Sequence, residues 1–184
     1  LRLKADIVAV STTPAAQVAK NATRTIPIVM IALGDPLGTG LVDSLSQPGG
    51  NITGMTMMVP ELAAKRLGLL KQAVPEISRV LVLSYLADPI APLQVTALKE
   101  AARSLGVTLL VQDIRTGDDL AAAFDAGIKE HVEGLLTTAE SIFVVLGARV
   151  SELAARHRLP AIYPYSIQVT DGGGLMAYDV DEPD

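Results

Sequence analysis

Along this chain, short runs of Val, Ile and Leu alternate with longer stretches in which apolar residues return every three or four positions. The runs are residues 6–10, 27–33, 51–55, 79–84, 108–114, 134–138 and 161–165, each followed by a turn signal. The later ones start at nearly regular intervals, about the length of one strand, one helix and two loops. Most are apolar without alternation, as parallel strands covered by helices on both faces require. Between them, Ala63, Leu67, Leu70 and Val74 keep helical spacing, as do Val95, Leu98, Ala102 and Leu105, and Phe143, Leu146, Val150, Leu153 and His157. Thr13 before Pro14 reads as an N-cap with proline at the first helical position, and Thr116-Gly117-Asp118-Asp119 places acids in a first turn. Gly106 and Pro160 mark helix ends. The pattern predicts an α/β, mainly parallel, doubly wound architecture.

Two breaks interrupt this regularity. One lies where Met55, Met57 and Met58 run into Val59-Pro60, the other at Asp171-Gly172-Gly173-Gly174, before an apolar segment at 175–178. Four strand-helix units lie between the breaks, enough for a lobe of their own, whereas residues 1–58 supply three strands. The simplest division is a first lobe of residues 1–58 and 175–184 and a second of residues 59–174. The start, Leu1-Arg2-Leu3-Lys4, has neither Met nor the charged-then-apolar architecture of a signal. It reads as a cut through a longer protein.

Composition narrows the function classes. The chain has 184 residues, 49% hydrophobic and 19% charged, which is sufficient for a packed core and excludes disorder. Its formal charge of -5, with Lys and Arg scattered, offers no basic track for a nucleic acid. There is no cysteine, hence no thiol nucleophile, disulfide or Cys-ligated metal. Gly, Pro or a charge breaks every apolar run short of the roughly 20 residues of a membrane span.

In open α/β sheets a ligand lies beyond the carboxyl ends of the strands, so the polar residues just after each run are the candidates. Ser11, Thr12, Thr13, Gly34, Asp35, Tyr85, Glu140, Ser141, Tyr163 and Tyr178 fall there or at a lobe break. Thr12 and Thr13 precede a helix N-terminus that suits an anion, although Thr13 reads equally as a plain cap. Asp35 is either an acceptor for an ammonium or hydroxyl group or half of a turn-forming Asp-Pro pair. Glu140 is either an acid facing a ligand or a first-turn helix acid. The tyrosines are aromatic walls for an apolar ligand body or ordinary packing residues. The stretch from Gly34 to Gly40 lacks the Lys-Ser/Thr ending of a phosphate loop, and Gly172-Gly173-Gly174 reads as a flexible turn. His131 and His157 sit at predicted helix ends, on the sheet edge away from the ligand side, so no Ser-His-Asp relay assembles there. No metal-ligand spacing is present, and no cofactor is implied. Binding without turnover is the reading these residues favour.

Several segments, taken in order, resemble the ABC transporter substrate-binding family, in the group that includes aromatic amino acid binders. They are Asp6-Ile7-Val8-Ala9-Val10-Ser11-Thr12-Thr13-Pro14, Gly34-Asp35-Pro36, Gln47-Pro48-Gly49-Gly50-Asn51-Ile52-Thr53-Gly54, Glu61-Leu62-Ala63-Ala64-Lys65-Arg66-Leu67, Leu159-Pro160-Ala161-Ile162-Tyr163 and Gly173-Gly174-Leu175-Met176-Ala177-Tyr178. The resemblance implies a type I periplasmic-binding-protein fold, two Rossmann-like lobes clasping a small, amino-acid-like ligand. It implies a periplasmic or otherwise extracytoplasmic receptor, with or without a lipid anchor, that hands its cargo to ABC permease subunits. In such a reading Thr12, Thr13 and the Gly34 N–H hold an anionic group, Asp35 or Glu140 a cationic one, and the tyrosines an apolar body. Family members usually carry further strands before the segment that opens this sequence, so the first lobe is expected to be incomplete. Strand 6–10 is then an open edge through which this chain is expected to self-associate or to borrow a strand. The alternative class is a sensing domain of the same fold that signals to a regulatory partner; an enzyme ranks third.

Overall fold

The computed structural model describes residues 4–179, and the expected first-lobe residues 1–3 and 180–184 lie outside the described residues. The chain divides into two compact units. One runs through Val59 and takes in Asp88–Ile90; the other runs from Pro60 to Ala87 and resumes at Ala91.

The first unit holds β1 (Val8–Val10), α1 (Thr13–Ala22), β2 (Ile28–Leu33) and β3 (Ile52–Thr56). Its sheet is parallel, in the order β1-β2-β3, with Val8 opposite Ile28 and Ile28 opposite Ile52. Val10, Ala16, Ile28, Met30, Leu33, Leu41, Val42 and Ile52 form its core. Among the described strands β1 pairs only with β2, so its other side is an edge. Register slips between Met30 and Leu33, where Ala32 takes a left-handed φ of 53°. Opposite this stretch Gly54 has φ 144°, and a Cβ there would land on the Met30 carbonyl. Only glycine lets β3 approach β2 so closely.

The second unit contains α2 (Val59–Ala73, apart from its first residue), β4 (Arg79–Ser84), α3 (Ala91–Leu105), β5 (Thr108–Asp113), α4 (Asp119–Lys129), β6 (Gly134–Thr137), α5 (Ile142–Arg156), β7 (Ala161–Tyr163), α6 (Ile167–Thr170) and β8 (Met176–Ala177). All five strands are parallel, in the order β5-β4-β6-β7-β8. Side chains alternate between faces, and both faces are covered. Leu81, Leu83 and Leu135 pack with Phe124, Phe143 and Val150 on one side. Val80, Val82 and Leu136 pack with Leu67, Leu70 and Leu98 on the other. Two buried faces are why the runs read as continuously apolar. Burying each such side chain stabilises the fold by about 1.5–3 kcal/mol.

The structure shifts three sequence expectations. Residues 175–184 are expected with the first lobe, yet Met176 and Ala177 pair with Ile162 and Tyr163 and complete the second sheet. The free edge of β7 accepts a strand, a fact invisible in local composition. The N-cap of α1 is Thr12 rather than Thr13: its Oγ1 accepts the Ala15 N–H at 3.3 Å, and Thr13 is the first helical residue. The last run ends at Tyr163, not Tyr165, because the chain turns at Pro164.

Gly172-Gly173-Gly174 is a packed turn. A Cβ on Gly174 would meet the Tyr163 ring at 2.6 Å and the Gln168 carbonyl at 2.8 Å, and its N–H donates to that carbonyl at 2.9 Å. Glycine is required here for close approach, not for flexibility.

Candidate functional site

The first unit brings Ser11, Thr12, Thr13, Gly34 and Asp35 to one sheet edge, because they follow the neighbouring strands β1 and β2. Ser11 is exposed, Thr12 is used as the α1 cap, and Thr13 is buried beneath it. The Gly34 carbonyl accepts the Val59 N–H at 2.9 Å, which fixes the chain as it leaves β3. Asp35 Oδ1 accepts the Gly38 N–H at 2.8 Å, and its carbonyl accepts the Thr39 hydroxyl at 2.6 Å. Asp35 therefore shapes its own turn, the arrangement its Asp-Pro sequence favours.

The second unit builds a connected polar rim at the carboxyl ends of β4 and β6. Glu140, 1% exposed, follows β6. Its Oε1 accepts Gln94 Nε2 at 2.7 Å, and its Oε2 accepts the Thr138 hydroxyl at 2.5 Å and the Tyr85 N–H at 3.3 Å. Gln94, wholly buried in α3, turns its carbonyl oxygen to the Ala139 N–H at 2.9 Å. The Tyr165 hydroxyl donates to the Ala139 carbonyl at 2.9 Å. One carboxylate thus ties together the ends of β4, β6 and α3, each bond charge-assisted and shielded from water.

Beside this rim stands Arg66 of α2, 2% exposed. Its Nε donates to the Tyr178 carbonyl at 2.8 Å, while Nη1 has no hydrogen-bond partner. Burial pushes its pKa down to about 10, opposed by Tyr165, Asp179, Tyr178 and Glu140, so it stays cationic at neutral pH. Asp179 in turn accepts the Ser166 N–H at 2.9 Å. A buried cation flanked by acids costs less than an isolated one, and it fixes the strand ends it touches.

Of the other candidates here, the Tyr85 side chain is half-buried at the rim and Ser141 is exposed ahead of α5, making no side-chain cap bond. Tyr178 keeps 36% exposure and donates its N–H to the Tyr163 carbonyl at 3.0 Å. Tyr163 is 1% exposed and belongs to the core beside Phe143 and Ala161. Burial raises its phenol pKa, a shift that neighbouring Ser151 opposes.

Sequence reasoning passed over Gln94 and Arg66. Arg66 had a signal: it stands three residues after Ala63 and four before Leu70, a charge inside the apolar stripe of α2. Gln94 had none, since its partners lie 45 and 46 residues away. The histidines sit where the pattern puts them. His131 follows α4, and His157 caps α5 with its ring stacked on Phe124 at 5.7 Å.

The model of the family described as ABC transporter substrate binding protein matches residues 2–184. The chain belongs to that family. A tyrosine-binding protein from Clostridioides difficile strain R20291 is 29% identical over 169 residues, 92% of this chain and 48% of that protein. The ABC domain from Streptococcus pneumonia, solved in complex with L-Trp, is 26% identical with a TM-score of 0.85, over 96% of this chain and 60% of that one. A conserved domain protein from Vibrio cholerae O1 biovar eltor is 25% identical with a TM-score of 0.87, over 96% and 58%. The chain therefore spans about half to three fifths of the length of these relatives. The α/β fold with parallel sheets is that of type I periplasmic-binding-protein-like members of the family. No helix among the described residues is long and apolar enough to cross a membrane.

Proposed function

We propose that the protein is an extracytoplasmic receptor that binds an amino acid with an aromatic side chain and passes it, chemically unchanged, to the permease of an ABC importer. The observation that carries this reading is the family match along residues 2–184. The relatives named for tyrosine and crystallised with L-Trp support the ligand class, and a transporter family favours delivery over the sensing alternative. In this reading exclusion of water around the bound ligand strengthens its polar contacts. Thr12, Thr13 and the Gly34 N–H take the carboxylate, and Asp35 takes the ammonium. Tyr85 and Tyr178 flank the ring. Glu140, with both oxygens already holding protein donors, keeps the second rim in shape, and Ser141 lies at its margin. The open side of β1 receives a strand from a second copy of the chain.

Calorimetric titration of the full-length protein with L-tyrosine, L-tryptophan and L-leucine tests the reading. Tight binding of the aromatic pair is expected, with Asp35→Ala weakening it roughly tenfold, the loss of one charged hydrogen bond. A folded protein that binds none of the three overturns it. Sedimentation of the 184-residue chain tests the β1 edge: a monomer at every concentration removes the second copy.

A further inference from the structure

None of the residues of the Glu140 network lines a cavity of about 290 Å³ in the second unit, between α5, the loop into β7 and the glycine turn before β8. Ala154, Leu159, Ala161 and Tyr163, all buried, give it apolar walls. Gly174 keeps its space open, since a side chain there would occupy the face of the Tyr163 ring. One hydroxyl interrupts these walls. Ser151 is 4% exposed, lies next to the Tyr163 phenol, and its Oγ has no hydrogen-bond partner of good geometry. The Tyr163 phenol is the hydroxyl beside it, so the two together make a polar end to the cavity where a ligand atom that completes their hydrogen bonding is favoured. Two further features stand among the lining residues. Leu175 leaves 83% of its surface in water, and Arg158 stands exposed as the left-handed residue that ends α5, its N–H on the Ala155 carbonyl at 3.0 Å.

We infer that this cavity is a second ligand site, for a small carboxylate with an apolar body. Its size is at the lower end of small-molecule pockets, enough for a single ring. The ring packs on Ala154, Leu159 and Tyr163, a polar acceptor at its inner end takes the Ser151 proton, and the carboxylate at the mouth pairs with the Arg158 guanidinium, which suits a planar anion. Occupancy also covers Leu175. The inference is independent of the ligand proposed for the rim residues.

The test is amide-resolved NMR titration of the protein with 4-acetylbenzoate and with its neutral methyl ester. 4-Acetylbenzoate should shift the signals of Ser151, Tyr163 and Gly174 saturably, with the ester at least about tenfold weaker. Arg158→Gln should abolish that preference, Ser151→Ala should weaken both probes, and Ala155→Trp, at an exposed lining position, should block both. Retained shifts in the presence of saturating L-tyrosine support a separate site; their loss places the probe elsewhere and overturns the proposal. So does the absence of shifts at about 10 mM probe, roughly ten times a millimolar Kd, or shifts that none of the three variants alters in folded protein.

Discussion

The two units solve the same problem, holding polar groups at the carboxyl ends of parallel strands, in different ways. In the first, Thr12 bonds three residues away and Asp35 three and four residues away, so each loop satisfies itself. In the second, Glu140 reaches Tyr85 across 55 residues and Gln94 across 46, and Arg66 reaches Tyr178 across 112. Local bonds can form and break one at a time. A buried network fails as a whole, because each lost partner leaves another polar group in low dielectric. The first rim is accordingly built mainly from local turns, tied to the chain leaving β3 through the Gly34 carbonyl, and the second from one rigid cluster.

The largest effect that sharpens this contrast is Glu140→Ala. It strands the Gln94 amide N–H and the Tyr85 N–H and leaves the Thr138 hydroxyl only the Leu83 carbonyl, and should cost about 3 kcal/mol in urea unfolding, with Glu140→Gln recovering part of it. A cost below about 1 kcal/mol would mean that the cluster is not cooperative. Thr12→Ala comes next. Losing one solvent-facing cap should cost about 0.5–1 kcal/mol, with no change in signals from the second unit. Spread of the NMR perturbation into β4 or β6 would break the contrast.

The smallest effect concerns Asp88, buried in a loop grouped with the first unit. Its carboxyl pKa is raised by burial, with the Ile90 N–H opposing the rise. A raised carboxyl pKa means that the native state prefers the protonated form. Its contribution is full below the unfolded value of about 3.9 and fades as pH rises through the higher native value. Asp88→Asn, which keeps an acceptor for Ile90, should therefore raise the melting temperature slightly at pH 7 and not at pH 3. An equal shift at both pH values would show that burial of the charge is not the cause.

Much of this was open to reading in advance, for definite reasons. The run 79–84 became β4 without adjustment because every one of Val80 to Leu83 is buried on one face or the other, and contiguous apolarity is the signature of that environment. The cap at Thr12 was missed by one residue because Thr12 and Thr13 are chemically alike, and only backbone geometry distinguishes the capping residue from the first helical one. Tyr163 read as a rim residue because it ends a strand. Side-chain alternation sends it instead to the α5 face, beside Ala161 in the core.

What the amino-acid order determined by itself is everything that depends on near neighbours: strands, helices, turns, the self-contained loops of Asp35 and Thr12, and the segments that mark the family. What the tertiary structure decided is which distant groups meet. Met176-Ala177 joins the second sheet because the edge of β7 has unpaired backbone groups to satisfy. Gln94 and Arg66 acquire their roles because parallel strands gather residues far apart in sequence at one edge, where the low dielectric makes each polar group depend on the others.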